Sequence, residues 1–315
     1  MKDIGTVFQG TGISIAGPGS FQIISVVFCL CSAGNGGGVY VSTEVSNFSM
    51  FFCIFDRCKA TASSNHGGGM YIYKIQKFRA RNVCFEGCIA WRCPGFITWG
   101  QENKQFIITE MNLSSECCPV LCSASSAFYG RQSTCFWNNN ISKSNTNEHP
   151  SGVGVGNGIS IEFSRYLIFE SNQGPGCLRF NSATPGCELT FMYVNFVNNM
   201  VTSSFVRFFT SNVFNLYDSV FRNNSDITMA GSSSIGTILF QNCMFDIEYT
   251  SQKFVKCTIN DNSCLFGASP TNIPFELGDY LHCIGAGTLI ATNNFQNYKP
   301  YQGYHIFSSI LIFLY

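Results

Sequence analysis

The chain has 315 residues, a formal net charge of zero and only 11% charged residues, against about 25% in an ordinary globular domain. A neutral net charge gives no reason to expect nucleic acid or an anionic membrane as partner. Its polar surface falls to Asn, Ser, Thr and Gly, which suit turns and strands and are poor helix formers, while 31 Phe supply large core fillers and the odd count of 17 Cys leaves at least one thiol unpaired within the chain.

The opening MKDIGTVFQG has no basic segment followed by an apolar run, so it reads without a secretory signal. From Phe21 a repeat begins. Its anchor is Phe, two variable residues, then Asn or Cys, at Phe28, Phe55, Phe85, Phe136, Phe169, Phe196 and Phe221, with degenerate copies at Leu113 and Phe245. Steps between anchors run from 23 to 33 residues, within the range of solenoid repeats.

Seven and five positions before the anchor sit two apolar residues: Phe21 and Ile23, Phe48 and Met50, Phe78 and Ala80, Phe106 and Ile108, Leu189 and Phe191, Phe214 and Leu216, Ile238 and Phe240. Spacing of two is the strand period, so each pair shares one buried face. The anchor lies an odd number of residues further on, so the chain must bend between pair and anchor. Two repeats break the rule. Before Phe169, Ile161 and Phe163 stand one residue early, as a one-residue bulge would place them. Before Phe136 the expected positions hold Tyr129 and Arg131, and the pattern offers no account of them.

A small-residue cluster after the anchor opens another strand: GGGVYV at Gly36, GGGMYI at Gly67, PGFITW at Pro94, PGCLRF at Pro175, SSFVRF at Ser203. The spacer before it varies in length and places all insertions at one corner. The longest, Asn138 to about Asn157, is polar and reads as a loop projecting from the rod. Its GVGVGNG run lacks the Lys and following helix of a phosphate loop and reads as a flexible spacer. A shorter spacer, Ala62 to His66, emerges at the same corner.

Three residues past the anchor, Asn139, Asn172, Asn199 and Asn224 are placed to form a buried hydrogen-bonded ladder. Cys31, Cys58 and Cys88 take that position in the first repeats. They stack as buried thiols or pair as disulfides between rungs; strand spacing permits a disulfide, but a trio cannot pair completely. The chain closes on HIFSSILIFLY, an apolar run of half the length of a membrane span, read as a last buried strand rather than a shortened span.

The alternation of GGGVY and GGGMY with the FxxN and FxxC series, through about residues 20–257, resembles the polymorphic outer-membrane protein repeats of chlamydial and protist surface proteins. That resemblance implies a right-handed parallel β-helix at a cell surface, adhesive in function, with a host-cell or glycan surface as partner. Here Cys replaces Asn early and the Gly cluster decays to Ser later.

The expectation is one all-β right-handed solenoid of nine or ten rungs: a partial rung or cap over 1–20, repeats over 21–264, partial rungs or a cap over 265–315. Carbohydrate-cleaving β-helices gather carboxylates on one face. Here Asp3, Asp56, Asp218, Asp226, Asp246, Asp261 and Asp279 are scattered; only Asp218 and Asp246 come from neighbouring repeats, at different offsets. His66, His149, His282 and His305 have no partner at ligand spacing and read as solvated loop residues. No catalytic, cofactor or metal residues are assigned. The expected function is a non-catalytic structural or adhesive surface; the alternative is a polysaccharide lyase or hydrolase.

Overall fold

The computed structural model describes residues 6–42, 45–62, 66–73, 75–91, 95–99, 104–114, 126–129, 132–142, 153–156, 164–181, 188–208, 213–225, 228–232, 237–254, 257–259 and 263–270. Its described residues contain strands, turns and no helix. The apolar C-terminal run, His149, His282, His305, Asp3, Asp226, Asp261 and Asp279 lie outside them.

Parallel strands stack into a β-solenoid. One sheet runs in chain order from Thr6–Thr11 through Val26–Ala33, Val45–Asp56, Lys77–Glu86, Lys104–Ser114, Gln132–Ser142, Ser164–Glu170, Glu188–Val197, Val213–Tyr217 and Thr237–Gln241 to Cys257–Ile259. The second runs from Ile13–Ile15 through Val39–Val41, Met70–Tyr73, Phe96–Trp99, Ser126–Tyr129, Val153–Gly156, Leu178–Asn181 and Ser204–Phe208 to Thr228–Ser232. The small-residue clusters open strands of this second sheet, and the chain already contributes to both sheets before Phe21.

Register aligns the repeats. Phe21, Phe48, Phe78 and Phe106 are successive partners, as are Ile23, Met50, Ala80 and Ile108. The anchors stack ring on ring: Phe8, Phe28, Phe55 and Phe85, then Phe169, Phe196, Phe221, Phe245 and Phe266, with centroids 4.6–5.5 Å apart and planes within 15°. Each buried ring contributes about 1.5–3 kcal/mol, and each stacked pair about 0.5–1.5 kcal/mol more. The small residues opposite make room: a Cβ on Gly38 would lie 2.6 Å from Cδ1 of Phe55, and one on Gly69 2.5 Å from Cδ1 of Phe85.

The bend demanded between pair and anchor is a left-handed residue three positions before the anchor. Ser25, Phe52, Asn82, Tyr166, Tyr193, Asp218 and Asn242 hold φ between +48° and +59°. A second such corner falls two positions after it, at Leu30, Arg57, Gly87, Ser171, Asn198 and Asn223. One positive-φ residue turns the chain sharply while leaving the strands on both sides in register.

Three expectations need correction. The anchor of the fifth repeat is Ile141, not Phe136. Ile141 pairs with Leu113 and Phe169, while Phe136 pairs with Ile108 and so occupies a pair position. Steps from Phe85 through Leu113 and Ile141 to Phe169 are then a uniform 28 residues. Ile141 is 1% exposed; a β-branched side chain fills the anchor site, and the FxxN match five residues earlier is coincidental. Asn139 therefore pairs with Leu167 and lies outside the Asn column.

The second correction concerns the long spacer. Asn138–Ser142 belongs to the strand Gln132–Ser142, and Val153–Gly156 lies between Ser126–Tyr129 and Leu178–Asn181 in the second sheet. Backbone pairing on both sides, with Val153 3% exposed, makes a strand of a run that reads as flexible. Residues 143–152 lie outside the described residues. Third, Ser164 pairs with Phe191 and Arg165 with Met192 without a register shift, so no bulge lies from Ser164 onward; Ile161 and Phe163 are outside the described residues.

Candidate functional site

The groove lies on the later strands of the first sheet. On the strands Glu188–Val197, Val213–Tyr217 and Thr237–Gln241, the inward residues Leu189, Phe191, Phe214, Leu216, Ile238 and Phe240 are buried. Strand alternation turns the intervening residues outward, and register aligns Met192, Tyr217 and Gln241. With Thr190, Asp218, Asn242 and Ser263 they line an open groove of about 520 Å³, within the size range of ligand pockets.

The left-handed corner shapes this groove. Asp218 and Asn242 occupy it in successive repeats, where short polar side chains tolerate positive φ. The Asn242 side-chain amide donates to Oδ1 of Asp218, and the Asn242 backbone N–H donates to Oγ of Ser263 at 2.9 Å. One wall is thus a hydrogen-bonded row of amide, carboxylate and hydroxyl. Along the same corner, Tyr193 stacks on Tyr166 at 5.1 Å, with the Arg165 guanidinium 5.5 Å above the Tyr166 ring.

The two carboxylates weighed for catalysis are engaged separately. Asp218 accepts from Asn242, whereas Oδ2 of Asp246 accepts from the backbone N–H of Asn223. No group of three or more His, Cys, Asp or Glu side chains placed to hold a metal ion occurs among the described residues. His66 is half-buried rather than solvated: its backbone N–H donates to Oδ1 of Asn35, and its ring lies 5.4 Å from Tyr71.

A second cluster escaped sequence reasoning. Asp56, on the anchor strand but facing away from the core, is 1% exposed. It pairs with Arg57 at 2.8 Å and accepts from the thiol of Cys29 at 3.3 Å. Burial, then the hydrogen bond to Asp56, pushes the Cys29 thiol up to about 11. It stays protonated at neutral pH, a donor rather than a nucleophile. The only signal for it is the register, which aligns Cys29 with Asp56.

The position three past the anchor is built as the sequence suggests, apart from Asn139. Asn172, Asn199 and Asn224 each donate to the carbonyl of the preceding repeat's anchor, Ile141, Phe169 and Phe196, at 2.8–2.9 Å. Cys31, Cys58 and Cys88 are free thiols and make the same bond to the carbonyls of Phe8, Phe28 and Phe55 at 3.3–3.7 Å. Cys84, on the outward face, is in a disulfide.

Among the described residues no helix is long and apolar enough to cross a membrane. No family model, no curated protein and no solved structure matches the chain.

Proposed function

We propose that the chain is a non-catalytic adhesive solenoid that holds a neutral glycan in the Thr190–Ser263 groove. The observation that carries this reading is the lining. It sets the aromatic face of Tyr217 beside amides, hydroxyls and a single carboxylate. Sugars present apolar C–H faces and hydroxyl edges, which such a surface matches with stacking and bidentate hydrogen bonds. Cleavage of a glycosidic bond by the usual route needs a second carboxylate across the substrate, and Asp218 alone lines the groove, already bonded to Asn242.

The stacked Tyr166 and Tyr193 lengthen the surface in the direction an extended chain would run. The same reading includes a right-handed coil of nine or ten rungs, the hand favoured for parallel crossovers, display at a cell surface, and kinship with the polymorphic outer-membrane protein repeats. These rest on the alternation of Gly cluster and anchor.

The test is titration of the full chain with linear neutral and N-acetylated oligosaccharides, beside Tyr217→Ala. Saturable binding that weakens about tenfold in Tyr217→Ala, equivalent to about 1.4 kcal/mol, supports the reading. Absence of binding, or equal binding by the variant, overturns it. Release of new reducing ends from the same oligosaccharides favours the hydrolase instead.

A further inference from the structure

The eight described free cysteines are not chemically alike. Cys31 and Cys58 are fully buried, and both thiols are pushed up, Cys31 first by its hydrogen bond with Cys58. Cys177 is raised by burial alone. Such thiols are inert core fillers. Cys243 and Cys264 differ.

Both sit two positions before an anchor, Phe245 and Phe266, which stack at 4.9 Å. Adjacent residues pair across the coils: Met244 bridges Leu265, and the N–H of Leu265 donates to the carbonyl of Cys243 at 2.9 Å. The two cysteines are therefore register neighbours on parallel strands. Their Cα atoms are about 4.8 Å apart by strand spacing, inside the roughly 4.4–6.8 Å that a disulfide spans. Both side chains face the core, and the Cys243 thiol donates to the carbonyls of Leu216 and Gln241, each at 3.4 Å. Cys264 is 7% exposed, whereas Cys31, Cys58, Cys177 and Cys243 are at 0%. The neighbouring Cys243 thiol leads in bringing the Cys264 thiol down, against the opposing effect of burial; the Cys243 thiol is raised, chiefly by burial. Cys264 is thus the more acidic and the more exposed of the two.

We propose that Cys243 and Cys264 form a redox-active dithiol that closes to a disulfide by exchange with a low-molecular-weight disulfide. The Cys264 thiolate attacks one sulfur of the small disulfide and expels its other half as a thiolate. The mixed disulfide is then attacked by Cys243, whose proton passes to one departing thiolate while the other takes its proton from solvent, and the second half leaves. Two protein thiols are oxidised and one small disulfide is reduced to two thiols. The new bond ties the Phe245 and Phe266 coils together directly behind the groove, because Asn242 and Ser263, which line it, immediately precede the two cysteines.

The substitutions that test this are ones the fold already uses. Ser219 occupies the same position one repeat earlier, with Oγ donating to the carbonyl of Tyr217 at 2.7 Å. Native wild type, Cys243→Ser, Cys264→Ser and Cys58→Ser are incubated with oxidised glutathione and read by intact mass and peptide mapping. In wild type and Cys58→Ser the expected result is loss of two hydrogens with a Cys243–Cys264 cross-link. Cys243→Ser retains one glutathione on Cys264, and Cys264→Ser gains no cross-link. Iodoacetamide at neutral pH is expected to label Cys264 about tenfold faster than Cys177. A wild type that retains glutathione on Cys264 as Cys243→Ser does, a cross-link between other cysteines, or equal labelling of Cys264 and Cys177 overturns the proposal. None of these readouts uses a glycan, so the result is independent of the groove's ligand.

Discussion

Oδ1 of Asn199 accepts two hydrogen bonds from Asn172, one from its backbone N–H at 3.1 Å and one from its side-chain amide at 3.0 Å. Asn224 repeats the arrangement on Asn199 at 3.0 and 2.9 Å. Each Asn thus closes the polar groups of the turn before it, and removing one orphans buried groups on its neighbours. Asn199→Ala is expected to lower unfolding free energy by about 2–4 kcal/mol, since each unsatisfied buried group costs about 1–3 kcal/mol. Cys58→Ala, at the equivalent corner, removes one weak thiol bond to Phe28 and is expected to cost less, about 1–2 kcal/mol. Urea unfolding of both variants checks the order; equal losses would show that the amide column adds nothing beyond packing.

The Phe55 ring lies 4.8 Å from Phe28 and 4.6 Å from Phe85, with Gly38 against its edge. Phe55→Ala is expected to lose about 3–5 kcal/mol. Gly38→Ala clashes with the ring and is expected to lose about 1–3 kcal/mol, whereas Gly34→Ala meets no atom within 4 Å. In a double-mutant cycle, Phe55→Leu is expected to recover part of the Gly38→Ala loss; strict additivity would contradict the contact.

Ser25 pays a steric cost at φ +55° that glycine avoids. Ser25→Gly is expected to be neutral or to stabilise by up to about 1 kcal/mol, the gain in the folded state outweighing the added freedom of the unfolded chain. Ser25→Val is expected to destabilise by about 1–2 kcal/mol, because a β-branched residue resists the left-handed region. Thermal melts that rank Val above Gly would remove the corner from the account.

Val153 is the point at which the strand and the projecting loop part company. Buried at 3% and paired with Ser126 and Leu178, it is expected not to tolerate a charge. Val153→Asp should cost at least about 3 kcal/mol, read as a shift in the urea midpoint. A variant as stable as wild type would return the segment to the surface.

Stability is expected to fall on both sides of about pH 8.5, the ordinary thiol value. Burial raises Cys53 to about 12. Above pH 8.5 the unfolded chain releases that proton and the native chain keeps it, so stability drops with rising pH by about 1.4 kcal/mol per unit for each such thiol, until the native thiol titrates. Cys264, held down chiefly by the neighbouring Cys243 thiol, acts oppositely: its contribution is complete above about 8.5 and is lost as pH falls below it. Unfolding free energies across pH 6 to 12, compared with Cys264→Ser and Cys53→Ala, separate the two limbs.

The solenoid itself was legible in the sequence because its interior repeats. Every coil must bury the same few positions, so Phe48 with Met50 and Phe78 with Ala80 recur at strand period, Phe55 and Phe85 recur once per repeat, and together they declare which residues face inward. Even the bend between pair and anchor follows from parity, and Asn172, Asn199 and Asn224 mark their corner by type. Register was not legible wherever another side chain fills the same volume. Ile141 packs as an anchor without resembling Phe, and the backbone bonds of Val153–Gly156 hold a strand whose composition is that of a loop. Parallel pairing decides such cases, because it is made by main-chain groups that carry no residue identity. The groove and the Cys243–Cys264 pair belong wholly to the tertiary structure. The groove draws on four separate segments of the chain and the two cysteines stand 21 residues apart, and only the stacking of one coil on the next makes them neighbours.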